Sequence, residues 1–343
     1  MSHRNKILIC APLDEDSRKR LSDLGELTHA GWGGSDGLHA APLNAEQLID
    51  FGKDADVIIL GPEAMPGEVL QKLPRLKLLA CSRAGVEGID VRLASSLGIP
   101  VLNTPGRNAA AVADFTFGLL IALARKFAQA WSFLQSGQWK DWSSPADYGL
   151  EGRELSGCTL GIIGLGKIGR LVANRAAGFD MEILGFDPYL DDKTIKGFGI
   201  RPTSLEELLT RSDFTSLHCS LTPETKNLLN SKNLPLLKPE AYIINTARAA
   251  LIEEEALVTA LQSRKIAGAA LDVFWKEPFP RDHPLLKLDN VILTPHIAGL
   301  GDLVISRGSK MIVEGIEAFF SDRKPNNLVN PEVFQALDHQ KEK

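Results

Sequence analysis

At 343 residues the chain is long enough for two domains, each with a substantial core, and its 44% apolar and 24% charged residues are ordinary values for a globular enzyme. No apolar run approaches the ~20 residues that a membrane span needs, and a formal net charge of −5 with no clustered basic stripe argues against nucleic acid as the main partner while leaving room for small anions. Cys10, Cys81, Cys158 and Cys219 lie far apart, follow hydrophobic strands and form no CxxC pair, so they read as free thiols of a reducing, cytoplasmic compartment, with no metal site.

Apolar runs alternate with helix-like segments, the pattern of parallel α/β sheets. Lys6–Cys10 is too short for a signal core and has no small-residue cleavage site, so it reads as a first strand. A helix around Asp14–Leu24 follows, then strands at Val57–Leu60, Leu76–Ala80 and Val101–Leu102, and this series closes at Asn103-Thr-Pro-Gly106. The next stretch, about Asn108–Trp131, predicts one long helix, apolar on most faces and therefore in need of burial on all sides. A subunit interface would supply that burial. From Trp131 to Ser156, Trp139, Trp142 and Tyr148 stand among Ser, Gly and Pro in a segment too irregular for an ordinary connection. It reads as an arm or lid edge, and with the helix it predicts a homodimer through residues 108–131 and 131–156.

The second series opens at Thr159-Leu-Gly-Ile-Ile-Gly-Leu-Gly-Lys-Ile-Gly-Arg170, a buried-strand pattern that runs into Gly164, Gly166 and Gly169. Gly164 permits a tight turn, Gly166 lets the backbone approach a pyrophosphate, and Gly169 lets a helix pack close to the strand, leaving free N–H groups and the positive helix end facing the anion. The strand Met181–Phe186 ends in Asp187, about twenty residues after the glycines, where a carboxylate can accept both adenosine ribose hydroxyls and repel a 2′-phosphate. Together these features predict NAD as the cofactor. Further strands at Phe214–His218, Ala241–Asn245, Gly268–Asp272 and Val291–Thr294 complete a six-stranded doubly wound sheet, and a helix from about Asp302 to Phe320 precedes a polar tail, 336–343, expected to be disordered.

In such sheets ligands lie outside the C-terminal strand ends. Arg248 follows the strand ending at Asn245, Asp272 ends the next, Glu277 stands five residues on before Pro278, and His296 follows Thr294-Pro295. Taken singly, each has an ordinary reading: a surface ion pair, a strand-end cap, a solvated carboxylate, a loop histidine. In this order and register they form one convergent set.

Asn245-Thr-Ala-Arg248, Ala270-Leu-Asp-Val-Phe274 with Glu277-Pro278, and Thr294-Pro-His-Ile-Ala-Gly299 resemble the signatures of the D-isomer-specific 2-hydroxyacid dehydrogenases, the family of phosphoglycerate dehydrogenases and glyoxylate and hydroxypyruvate reductases. The resemblance covers almost the whole chain, including Asn103-Thr-Pro-Gly106, the glycine motif with Asp187, and His218-Cys-Ser-Leu-Thr-Pro-Glu-Thr225. It implies an α/β fold of two doubly wound parallel-sheet domains, a Rossmann NAD-binding domain (106–299) inserted into a flavodoxin-like substrate-binding domain (1–105 plus 300–335). The substrate cleft would lie between them, with hinges near Gly106 and Ala298–Gly301.

The resemblance also implies roles. Arg248 clamps the substrate carboxylate and polarises the carbonyl, His296 exchanges the proton with the oxygen, and Glu277 holds the imidazole and favours its charged form. Ala84 and Gly85 offer backbone amides to the carboxylate, and Asn108 lies near substrate, with an N-cap as its plainer reading. Cofactor contacts fall on Gly164, Gly166, Lys167, Ile168, Gly169, Asp187, His218, Thr225, Ala247, Asp272 and Ala298. Asp272 meets the nicotinamide carboxamide or caps its strand, and His218 contacts cofactor or is simply packed.

Three departures qualify this reading. Ala249-Ala250 replace the family's usual glycines, Ser220 replaces a common proline and should soften the cofactor loop, and Leu60-Gly-Pro-Glu63 stands where phosphoglycerate-using relatives tend to carry an arginine. A small unphosphorylated 2-hydroxy or 2-keto acid is therefore the expected substrate, with Arg83 or Arg107 as the residues that could instead receive a phosphate. The alternatives are a D-3-phosphoglycerate dehydrogenase and an NAD(H)-sensing, corepressor-like protein with little turnover.

Overall fold

The computed structural model describes residues 4–33, 41–142 and 144–334, so the tail at 336–343 lies outside the described residues. The chain divides into two compact units, Met1–Asn108 with Gly301–Lys343, and Ala109–Leu300.

The first unit runs β1 (Asn5–Ile9), α1 (Glu15–Leu24), β2 (Gly25–His29), α2 (Ala45–Gly52), β3 (Val57–Leu60), α3 (Gly67–Leu70), β4 (Leu78–Cys81), α4 (Val91–Ser96) and β5 (Val101–Leu102). All strands pair in parallel in the order β2-β1-β3-β4-β5, the flavodoxin-like arrangement, with an apolar layer on each face. The apolar runs of β1, β3 and β4 follow from burial on both faces. The sequence reading has no counterpart to β2, because Gly-Glu-Leu-Thr-His is an edge strand with a mostly solvated face and carries no apolar run.

The second unit contains α5 (Ala109–Ala124), α6 (Phe127–Gln135), α7 (Ser144–Asp147), β6 (Thr159–Ile163), α8 (Lys167–Ala177), β7 (Glu182–Phe186), α9 (Asp192–Gly197), β8 (Arg201–Pro202), α10 (Leu205–Arg211), β9 (Phe214–Leu217), β10 (Tyr242–Asn245), α11 (Glu254–Gln262), β11 (Gly268–Leu271) and β12 (Val291–Leu293). α12 (Val304–Phe320) returns to the first unit and covers one face of its sheet. The second sheet is parallel, in the order β12-β11-β10-β9-β6-β7-β8. It has seven strands rather than six, the extra one being a two-residue edge at Arg201–Pro202, where proline's missing N–H costs nothing.

The long helix expected over 108–131 is two helices. Lys126 takes the left-handed conformation (φ 53°) between α5 and α6, and the chain returning from the arm crosses there, with the Arg153 N–H donating to the Ala124 carbonyl at 2.7 Å. That cap comes from a residue 29 positions on, which helical periodicity cannot report. α5 also finds most of its burial inside its own unit, against α8 and the β10–β12 side of the sheet. The exposed apolar surface lies instead on α6 and the arm: Phe127, Trp131, Leu134, Trp139, Trp142 and Tyr148. Among the described residues no helix is long and apolar enough to cross a membrane.

Candidate active site

β6 leads into a turn that only glycine allows. Gly164 has φ 93°, and a Cβ there would stand 2.5 Å from the Cys219 backbone nitrogen. A Cβ at Gly169 would run into the Gly164 carbonyl oxygen, so α8 packs directly on the turn. Gly166 caps α8 without any side-chain hydrogen bond, and a Cβ there would meet nothing within 4 Å. The free amides of the first helical turn, opening at Lys167, Ile168 and Gly169, therefore have room for an anion.

Beside this turn lies a pocket of about 370 Å³ lined by Gly164, Gly166, Asp187, His218, Cys219 and Thr225, among others. Asp187 accepts the Leu165 N–H through Oδ2 (2.9 Å) and the Tyr189 N–H through Oδ1 (3.0 Å), so the carboxylate is fixed against the glycine turn with lone pairs to spare. The charged side chains lining this pocket are Asp187 and Glu224, both acidic. His218 hydrogen-bonds Ser216 Oγ through Nε2 (2.8 Å), and burial lowers its pKa, which keeps the ring neutral. Burial likewise pushes the Cys219 thiol up to about 11. Thr225 Oγ1 donates to the Ser220 carbonyl at 2.7 Å, a bond that ties down the loop Ser220 was expected to soften. The cradle and the carboxylate fit a dinucleotide: pyrophosphate at the α8 N-terminus, ribose at Asp187.

At the other strand ends the structure joins Glu277 and His296. His296 Nδ1 stands 2.8 Å from Glu277 Oε2, and Glu277 Oε1 accepts the Phe274 N–H at 3.0 Å. Partial burial alone would raise the Glu277 carboxyl, but its hydrogen bonds to His296 and Phe274 and the charges of His296 and Arg248 outweigh it and hold it below the usual carboxylate range. An ionised Glu277 can only accept, so Nδ1 carries the proton and Nε2 is left for exchange. His296 itself sits at φ 55°, a strained conformation for a non-glycine residue. Asp272 holds it there. Buried to 1% exposure, it accepts Thr294 Oγ1 (2.6 Å) and the Ile297 N–H (2.9 Å) on Oδ1 and the Ala298 N–H (2.8 Å) on Oδ2. These bonds tie the Asp272 carboxylate to the loop that carries His296, Ala298 taking part through its amide.

Arg248 is exposed on a turn after β10. The turn is organised by Asn245, also 1% exposed, whose Oδ1 accepts the Ala247 N–H (3.0 Å) while Nδ2 donates to the Arg248 carbonyl (3.0 Å). A buried Thr246–Thr116 hydroxyl pair (2.8 Å) fastens the same turn to α5. The alanines after Arg248 form a short 3-10 turn with ordinary dihedrals, so glycine is not needed there. The sequence reading used Asn245 only as part of a motif; an Asn two residues before a turn amide was the available signal for its supporting role.

Ala84, Gly85 and Asn108 belong to the first unit. Asn103 Nδ2 donates to the Ala84 carbonyl at 2.6 Å, the Glu87 carboxylate lies over Gly85 where a Cβ would be, and Asn108 stands immediately before α5. Glu63, in the segment where phosphoglycerate-using relatives tend to carry an arginine, is buried and turned inward, accepting the Gly61 N–H at 2.8 Å. Leu60-Gly-Pro-Glu63 itself supplies no cation, and Arg83 Nη2 donates to the Glu63 carbonyl (3.2 Å). Arg107 packs beside Gly308, and burial lowers its pKa.

A parallel sheet whose first βα turn fits a dinucleotide, with a hydrogen-bonded His–Glu pair at neighbouring strand ends, is the arrangement of a nicotinamide-dependent oxidoreductase. Residues 117–298 match the family model described as D-isomer specific 2-hydroxyacid dehydrogenase, NAD binding domain. The chain is 41% identical over 294 residues to a glyoxylate reductase of Korarchaeum cryptofilum, covering 85% of this chain and 88% of that protein. It is 38% identical over 327 residues to a D-3-phosphoglycerate dehydrogenase of Methanocaldococcus jannaschii, covering 95% of this chain but only 59% of the relative's length. Among solved structures, the TT0316 protein from Thermus thermophilus aligns with a TM-score of 0.82 at 36% identity, over 94% of this chain and 99% of that one. An NADPH-dependent glyoxylate/hydroxypyruvate reductase from Sinorhizobium meliloti aligns with a TM-score of 0.77 at 29% identity, over 96% and 98%. The chain belongs to the D-isomer-specific 2-hydroxyacid dehydrogenases, and its cofactor is a nicotinamide dinucleotide.

Proposed function

We propose that this enzyme interconverts a small, unphosphorylated D-2-hydroxy acid and its 2-keto acid with NAD(H), in the manner of a glyoxylate or hydroxypyruvate reductase. The observation that carries the reaction is the 2.8 Å His296–Glu277 pair with the Arg248 charge close enough to act on Glu277. The bound dinucleotide supplies or takes the hydride at C2 of the acid. Arg248 pairs with the substrate carboxylate through its planar fork. His296 gives its Nε2 proton to the carbonyl oxygen in reduction and takes the hydroxyl proton in oxidation, while the Glu277 carboxylate compensates the imidazolium. Ala247 and Thr225 complete the cofactor site by their place on the strand-end loops.

The acidic lining around Asp187 supports NAD over NADP, because a 2′-phosphate would meet two carboxylates and no cation. The absence of a basic side chain in Gly61-Pro62-Glu63 supports an unphosphorylated substrate. A panel of glyoxylate, hydroxypyruvate, pyruvate and 3-phosphohydroxypyruvate, each with NADH and NADPH, tests both halves. The expected order places an unphosphorylated acid with NADH first. A tenfold higher kcat/KM for the phosphorylated acid, about 1.4 kcal/mol of transition-state preference, would make the phosphoglycerate reading the better one, and no turnover on any acid would favour a sensor. His296→Gln should lower turnover about 10²-fold or more and abolish the opposite pH trends of reduction, which falls with pH, and oxidation, which rises.

The exposed aromatic surface of α6 and the arm is read as a homodimer interface, testable by sedimentation of a Trp131→Glu variant, expected to shift toward monomer. The four free cysteines fit a reducing, cytoplasmic setting.

A further inference from the structure

The proposed catalytic groups stand on separate loops. Arg248 follows β10, Glu277 follows β11, and His296 follows β12. The strands fix where each loop starts, but a loop of several residues keeps freedom that hydride and proton transfer do not tolerate, since a misplacement of about 1 Å costs on the order of 10²-fold in rate. Asp272 settles the His296 loop, and His296 is bonded to Glu277. What joins this pair to the turn of Arg248 is a side chain outside every motif used so far.

Trp275, two residues before Glu277, donates its indole N–H to the Ile252 carbonyl at 2.9 Å. Ile252 ends the short 3-10 turn that begins at Arg248, and its own N–H bonds back to Ala249. The indole ring is half-buried against the apolar layer of the second unit, while the Phe274 and Phe279 rings pack tilted on one another with centroids 4.0 Å apart. At the far end of the same loop His283 Nε2 meets Glu254 at 2.9 Å, two residues beyond Ile252, and His283 Nδ1 accepts the Leu285 N–H. The loop carrying Glu277 is thus fastened on both sides to the segment 252–254. An indole is a donor only, and its single N–H is used on the carbonyl that closes the Arg248 turn. A phenyl ring would fill the same apolar space without making the join.

We propose that Trp275 is a positioning residue that locks the Glu277–His296 pair to the turn carrying Arg248, keeping the proton donor and the carboxylate clamp at one spacing. The proposal rests on the reading of the site given under the proposed function. The Arg248 charge already acts on Glu277, so their spacing has an observable besides turnover.

The test compares wild type with Trp275→Phe, which keeps a ring and removes the N–H, and with Trp275→Ala, which removes both. Steady-state reduction of glyoxylate by NADH, NADH affinity by fluorescence, thermal stability, and the Glu277 carboxyl titration by ¹³C NMR are measured on each. In Trp275→Phe, NADH affinity should be unchanged, kcat should fall about tenfold or more with a smaller change in KM, and the Glu277 carboxyl should titrate closer to its ordinary range. A Trp275→Phe enzyme with wild-type kcat, KM and Glu277 titration, or with lowered thermal stability alone, overturns the proposal. If the wild-type enzyme reduces no 2-keto acid, the reading of the reaction falls instead, and the Glu277 titration in Trp275→Phe still decides whether the indole joins the two loops.

Discussion

α1 and α8 occupy the same place in their respective sheets, each leaving the C-terminal end of a first strand, β1 or β6, yet only α8 begins without a side-chain cap. α1 is capped by Asp14, whose side chain accepts the Ser17 N–H at 2.8 Å, and its first turn adds Glu15 and Asp16. Its amides and dipole are satisfied from within the chain. α8 is capped by Gly166 with no side-chain bond, no acid in its first turn, and open space where a side chain would be. A parallel α/β unit therefore offers an anion site at its first helix by default, and what distinguishes the two units is whether a side chain has already filled it.

The two units agree at the opposite edge of their sheets. Asp56 opens β3 beside β1 and accepts the Lys6 N–H (2.9 Å) with Lys77 at 3.0 Å; Asp213 opens β9 beside β6 and accepts the Thr159 N–H (2.8 Å) with Lys238 and Arg153 at 2.9 Å. Burial alone would raise both carboxyls. The strand amides and the basic neighbours outweigh it and hold both below the usual range. Away from the ligand edge, the same problem of starting a buried parallel strand has the same solution twice.

The comparison breaks most severely at Gly166. Gly166→Asp would give α8 the cap that α1 has, gaining a few tenths of a kcal/mol of helix stability while placing a carboxylate where the pyrophosphate belongs. NADH affinity by fluorescence titration should fall about 10²-fold with the thermal transition unchanged or raised. Unaltered affinity would show that the pyrophosphate is held elsewhere.

A smaller effect is expected at the shared anchors. Asp56→Asn and Asp213→Asn should each cost about 1.5–3 kcal/mol in denaturant unfolding at pH 7, since two cations converge on each carboxylate. Both folded-state pKa values lie below the unfolded ones, so this stability is complete above the unfolded carboxyl range, about pH 4, and is lost as pH falls through the folded values. The variants and the wild type should therefore converge in stability in acid. A gap that persists unchanged to low pH would remove these carboxylates as its cause.

The smallest change is the converse of the first. Asp14→Gly opens the α1 N-terminus at a cost of only a few tenths of a kcal/mol, and NADH affinity should not move, because the turn after β1, Ala11-Pro-Leu-Asp14, carries no glycine and β2 ends at His29 rather than at an acid. A second dinucleotide equivalent bound by Asp14→Gly would show that an uncapped helix is enough.

Much of this was legible before the fold. The glycine spacing, Asp187, and the placement of Arg248, Glu277 and His296 after apolar runs follow from local rules: a parallel strand buried on both faces reads as a continuous apolar segment, and chemistry collects at its C-terminal end. The family, the fold class and the nicotinamide cofactor could be read on that basis. Other features depended on partners far away in the chain. The break of the predicted long helix at Lys126 is made by Arg153; β2 forms because β1 offers it an edge; Glu63 turns inward onto Gly61; Asp272 serves residues 294–298 rather than its own strand. Trp275 gave no signal at all, since an aromatic residue beside a Glu-Pro pair looks like ordinary packing until the carbonyl of Ile252 is known to lie 2.9 Å from its N–H. The sequence by itself determined which groups could do the chemistry, because residue type and strand period are local properties. Their holding in one geometry was decided by tertiary structure, because hydrogen bonds between loops depend on distances that only the packed sheet establishes.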